Sequence, residues 1–128
     1  LSKACADYLA QQTDAKGRKL DVTLLPIPQE PVCITQEECS ELDLWDGEPT
    51  RTAGERLAAS YVNFYIANDS VLVPQFGDPM DKTACEILSA QFPNRTIVPI
   101  AAREILLGGG NIHCITQQIP LGRSSIYA

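Results

Sequence analysis

The residues Gly108-Gly109-Gly110-Asn111-Ile112-His113-Cys114 join a permissive backbone to a nucleophilic side chain. Glycine reaches φ > 0 at no steric cost and lets the main chain come close to a ligand. The run Ile115-Thr116-Gln117-Gln118-Ile119-Pro120 reads as a short strand, so glycine turn, thiol and strand would hold Cys114 at the rim of a sheet. A thiol needs help to ionise and a proton donor for its leaving group. The chain has one histidine, His113, next to Cys114. In an extended segment the two side chains point to opposite faces, so His113 reads as a structural hydrogen-bonding residue rather than a base. Either Cys114 is an ordinary buried strand thiol, or its chemical partners lie outside these residues.

Other readings of the same stretch are weaker. Gly108-x-Gly110-x-x-His113 lacks the third glycine of a dinucleotide fingerprint, and no Gly-Lys-Ser/Thr follows for a P-loop. The five cysteines (Cys5, Cys33, Cys39, Cys85 and Cys114) show no C-x-x-C spacing, and one histidine completes no familiar zinc set. No metal site is therefore expected, and reduced thiols in a cytoplasmic setting are the simplest reading. Asn63 lies inside an otherwise apolar run, either as a satisfied core amide or as a group that reaches a site. Asp78 reads as a helix cap. Glu37, Glu38, Glu41, Asp43, Asp46 and Glu48 read as a solvated loop face, and Arg103 and Glu104 as an ion pair pinning the glycine turn.

The elements that must position these groups fit one domain of 128 residues, with 45% hydrophobic and 20% charged residues. Sixteen acids against ten bases give a net charge of −6, which argues against nucleic acid or an anionic membrane as partner. No apolar run approaches the ~20 residues of a membrane span, and no signal-peptide pattern is present. The chain starts at Leu1 rather than Met and reads as a piece of something longer.

Leu1, Ala4, Cys5, Tyr8 and Leu9 share a helical face over residues 1–12, with Gly17 as its C-terminal punctuator. Leu20–Ile27 reads as a strand closed by Pro26, Pro28 and Pro31. Residues 29–55 form a long polar loop containing Pro49, with Trp45 its large apolar anchor. Tyr61–Ile66 and Val71–Val73 form a hairpin across Asn68-Asp69. Asp78-Pro79 opens a helix with Ala84, Ile87, Leu88 and Phe92 as its stripe, and Thr96–Ile100 is the next strand. The class is α/β, and residues 61–100 make one β-β-α-β unit.

The string from Arg103 to Gln118 resembles the C-terminal active-site motif of agmatine deiminases (agmatine iminohydrolases). These are relatives of the bacterial peptidylarginine deiminases in the guanidino-modifying superfamily. Ala53-Gly54-Glu55-Arg56-Leu57-Ala58-Ala59-Ser60-Tyr61-Val62-Asn63-Phe64-Tyr65-Ile66-Ala67-Asn68 and Pro74-Gln75-Phe76-Gly77-Asp78 resemble preceding segments of that family, in order and at matching spacing. The resemblance implies a pentein, an α/β propeller of β-β-α-β units around a central channel. Residues 1–128 would then be the C-terminal part of one catalytic domain, with 103–120 its cysteine segment. It implies Cys114 as nucleophile, with Gly108, Gly109, Gly110 and Asn111 lining the substrate. The substrate would be agmatine, converted to N-carbamoylputrescine and ammonia through a thiouronium on the cysteine, without metal or organic cofactor. The catalytic histidine and acids would come from an upstream part of the same enzyme, leaving this chain inactive by itself. A cytoplasmic location follows from the same resemblance, and a homo-oligomer is compatible with it. The alternatives are a non-catalytic pentein fragment and a deiminase acting on arginine or peptidyl-arginine.

Overall fold

Alternation and turn chemistry produce the central sheet of the chain, which a computed structural model describes over residues 2–43, 45–47 and 50–119. Leu1, Glu48, Pro49 and Pro120, given roles above, lie outside the described residues. Strand β1 (Tyr65–Ile66) pairs antiparallel with β2 (Ser70–Gln75), Tyr65 facing Leu72 and Ile66 facing Val71. Helix α3 (Met80–Gln91) crosses over to β3 (Thr96–Ala101), which runs parallel to β2 from Ser70–Thr96 to Gln75–Ala101. The sheet order is β1-β2-β3. Pro74 sits in the middle strand beyond the end of the short β1, where the missing N–H leaves no ladder bond unmade on that side.

Val71 and Val73 point to one face of β2 and meet Leu88 of α3, all buried, with Leu25, Phe64, Cys85, Phe92 and Ile97 packed around them. Each such side chain contributes roughly 1.5–3 kcal/mol on burial. Ala84 and Leu88 are the buried members of the expected α3 stripe. The N-cap is Pro79, one residue later than the Asp78-Pro79 signal suggests. Asp78 still accepts from Met80 N at 2.8 Å, and its other oxygen accepts from Gln29 N at 2.9 Å and Glu30 N at 3.3 Å.

Several expectations are corrected. Helix α1 (Ser2–Leu9) ends well before Gly17, which (φ 76°) serves a tight turn in which Asp14 N donates to Arg18 O at 2.9 Å, not a helix end. Leu20–Ile27 is no strand, because no neighbouring segment among the described residues supplies ladder bonds, although Leu25 joins the core. Tyr61–Asn63 turns before β1 starts, so the first strand is far shorter than its composition suggests. Trp45 is 79% exposed, so it is not a buried anchor.

The long 29–55 loop is structured. Thr35 caps a short helix α2 (Gln36–Glu41) through a reciprocal box: its Oγ1 accepts from Glu38 N at 3.1 Å, and its N–H donates to Glu38 at 2.8 Å. The base is closed by Ile34 N to Glu55 O (3.0 Å), Gly54 N to Ile34 O (2.8 Å) and Leu57 N to Val32 O (2.8 Å). Ile34, Leu57 and Leu106 are buried together there, joined by Cys39, Leu42 and Phe76. No helix among the described residues is long and apolar enough to cross a membrane.

Candidate active site

Parallel pairing of β2 with β3 brings the chain back beside Gln75, whose carbonyl accepts from Ala102 N at 3.0 Å. Helix α4 (Arg103–Leu107) starts immediately and buries Leu106 in the second cluster. Its last carbonyls accept from the glycines: Ile105 O from Gly108 N at 3.2 Å and Leu106 O from Gly109 N at 2.9 Å. Gly109 alone of the three has positive φ, 89°. A β-carbon on Gly110 would lie 2.8 Å from Cys114 Cβ and 3.3 Å from its sulfur. The glycines thus have separate reasons: Gly109 permits the turn, and Gly110 vacates the space the cysteine occupies.

Cys114 does not enter a strand. It is the middle residue of a one-turn 3₁₀ helix, His113–Ile115, and the described residues that follow are not in a strand. The opposite-face argument for His113 and Cys114 therefore falls. The cause is Asn63, whose backbone O and Oδ1 receive the His113 N–H at 3.3 and 2.9 Å. Since Oδ1 must face that N–H, the NH₂ faces the cysteine. Nδ2 donates to Cys114 Sγ at 3.2 Å, while Oδ1 lies 3.7 Å from it. One amide serves both ionisation states: Oδ1 accepts S–H from the thiol, and Nδ2 donates to the thiolate. The Cys114 pKa is lowered from its ordinary value, first by the Asn63 side chain and then by the Asn111 backbone, with partial burial opposing. Cys114 is exposed, so an electrophile can reach it.

Asn63, which composition left open, belongs to this site. Asn111 is fully buried; its Oδ1 accepts from Ile112 N at 2.7 Å and its Nδ2 has no hydrogen-bond partner among the described residues. The Arg103–Glu104 pair is corrected. Arg103 donates instead to Glu38, at 2.6 and 2.9 Å, and to Cys33 O at 2.9 Å. Glu38 thereby leaves the solvated acidic face and fastens α2 to α4. The pattern Thr35-x-x-Glu38 was the available signal for the helix; nothing local announces its pairing with Arg103. Arg51, also unannounced, pairs with Glu55 at 2.7 Å and lies over the glycine turn.

Among the described residues no group of three or more His, Cys, Asp or Glu could hold a metal ion. The arrangement can present an exposed, partly activated thiol beside a glycine turn.

Residues 1–120 match the family model described as Porphyromonas-type peptidyl-arginine deiminase. Two curated relatives are each named "Putative agmatine deiminase". The one from Selenomonas ruminantium is 56% identical over 120 residues, covering 94% of this chain and 32% of the relative. The one from Latilactobacillus sakei subsp. sakei (strain 23K) is 58% identical over 123 residues, covering 96% and 33%. The chain thus spans about a third of the length of these relatives. A solved structure described as agmatine deiminase of Enterococcus faecalis catalyzing its reaction superposes with a TM-score of 0.86 at 42% identity, over 92% of this chain and 32% of that one.

Proposed function

The chain belongs to the Porphyromonas-type peptidyl-arginine deiminase family, and we propose that it is the C-terminal, cysteine-bearing part of an agmatine deiminase. Residues 61–100 are one β-β-α-β unit of a pentein propeller, and 103–120 carry the nucleophile into its central channel. The observation that carries the reading is the Asn63 Nδ2 bond of 3.2 Å to Cys114 Sγ, at the end of a glycine turn shaped around that thiol.

The Cys114 thiolate attacks the guanidinium carbon of agmatine. The C–N bond breaks, and ammonia leaves with a proton from a histidine of the upstream part of the enzyme. Water then attacks the thiouronium carbon, giving one proton back to that histidine; the C–S bond breaks, and N-carbamoylputrescine departs as the sulfur takes the other proton and the thiol is restored. Asn63 holds the sulfur and favours its ionised form. The carbonyls of Gly108, Gly109 and Gly110 can accept from the N–H groups of the substrate's planar head. Asn111 fixes the turn that precedes the cysteine. The guanidinium is already electrophilic once held, so the reaction runs without metal or organic cofactor. Formation of a putrescine precursor places the enzyme in cytoplasmic polyamine synthesis. The net charge of −6 suits a dicationic substrate.

The test uses the full-length protein. Ammonia and ureido product are measured from agmatine, free arginine and a peptidyl-arginine side by side, with Cys114→Ser as control. Agmatine should be preferred by about 10²-fold or more, because an α-carboxylate in a site built for an ammonium tail leaves charge unpaired. Comparable specificity for arginine or for the peptide would remove the agmatine assignment. Retained turnover in the Ser variant would remove Cys114 as nucleophile.

A further inference from the structure

Within the loop excursion 35–54, Arg51 reaches the glycine turn. Its side chain is 25% exposed and its Nη1 donates to Glu55 Oε1 at 2.7 Å. Glu55 is itself fixed: Oε2 accepts from Thr52 N at 3.3 Å, and its main chain closes the base of the excursion against Ile34. The other guanidinium nitrogen, Nη2, lies 3.2 Å from where a side chain on Gly109 would begin. Gly109 is the one residue of the triplet held at positive φ, and a side chain on its neighbour Gly110 would begin 2.8 Å from Cys114 Cβ. Glu55, Arg51, Gly109, Gly110 and Cys114 therefore lie in sequence in space from a braced loop to the sulfur.

We propose that Arg51, braced by Glu55, is a positioning residue for Cys114 that acts through Gly109. The guanidinium plane covers the turn on the side where glycine has no side chain of its own. It limits the turn to the backbone conformation that leaves Cys114 against Gly110 and Asn63. A planar group with a fixed partner suits this task better than a flexible ammonium. The inference rests on reading Cys114 as the nucleophile.

The experiment compares wild type, Arg51→Met, Arg51→Lys and Glu55→Ala in the full-length protein. It reads kcat and KM for agmatine and, separately, the rate of Cys114 alkylation by iodoacetamide against pH. Loss of position should lower kcat about 10–100-fold in Arg51→Met, with KM within about threefold, since small misplacements of a reacting group cost rate more than binding. The alkylation profile should move with it, Arg51→Lys should recover part of the loss, and Glu55→Ala should fall in the same direction by less. Wild-type kcat and profile in Arg51→Met overturn the inference, as does a change in KM alone, which would mark a substrate contact. If Arg51→Met does not fold, Glu55→Ala decides by the same readings. A failed agmatine assignment leaves the alkylation arm intact. Alkylation that spares Cys114 in a protein still turning over agmatine overturns both the nucleophile reading and this one.

Discussion

The hydroxyl of Tyr61 donates to Asp81 Oδ1 over 2.6 Å, and this bond fixes the chain two residues before Asn63. Tyr61 is fully buried, its ring 5.2 Å from that of Phe76. Asp81 also gathers the backbone N–H groups of Phe76, Gly77 and Asp78 at 2.9–3.2 Å. One carboxylate thus joins the turn after β2, the start of α3 and the segment that carries Asn63.

Tyr61→Phe keeps the ring and deletes the bond. The full-length protein should lose about 1–3 kcal/mol, the usual worth of a hydrogen bond to a charged acceptor, read from denaturant unfolding. Burial first and Asp81 second push the phenol well above its ordinary value of 10.0. A raised pKa supplies stability that is complete below the unfolded value and is lost as pH rises above it. Wild type should therefore weaken above about pH 10, and the Phe variant should lack that part of the alkaline decline. An identical decline in both would refute the assignment.

Asn63→Ala removes the largest influence lowering the Cys114 pKa. The midpoint of iodoacetamide alkylation should move to higher pH, toward the ordinary thiol value, and turnover near neutrality should fall. Asn63→Asp should move it further, since a carboxylate beside the sulfur opposes the thiolate. A midpoint unmoved in both variants would show that the amide does not govern ionisation.

Gly110→Ala would place a methyl 2.8 Å from Cys114 Cβ. Displacing the sulfur by an ångström should cost about 10²-fold in kcat while the thermal transition changes little. Gly109→Val should lose both activity and stability, because a β-branched residue resists the φ of 89°. Full activity in the alanine variant would mean the turn yields without moving the thiol.

Glu38 is held down at about 2, against an ordinary 4.5, by the Arg103 side chain first and by the Thr35 backbone second. Its contribution is present above pH 4.5 and is lost as pH falls toward 2. Glu38→Gln should lower stability at neutral pH and flatten the acid limb of the unfolding curve. An acid limb as steep as wild type would place the titration elsewhere.

The hairpin, α3 and β3 were legible because their signals are local: a turn pair between β-branched runs, a proline at a helix start, an apolar stripe. Leu20–Ile27 misled because a strand needs a partner as well as composition. The cysteine segment misled for a different reason. Its 3₁₀ turn is set by Asn63, 50 positions away from His113, and no local pattern carries that. Arg103 found Glu38, 65 positions away, over its neighbour Glu104, since adjacent side chains on a helix do not face each other. The glycine triplet drew attention to the right place, but its individual duties depend on contacts that only folding creates.

The ladder joining Val32 and Ile34 to Gly54, Glu55 and Leu57 holds the two ends of the excursion between them side by side. Added length there is cheap, at about 0.6 kcal/mol for each doubling, and does not pass through the sheet. The stretch 45–47, between the Glu38 and Arg51 attachments, is therefore a natural port for grafting: a reporter peptide or affinity handle can be spliced in while the register of β2 and β3 stays as it is.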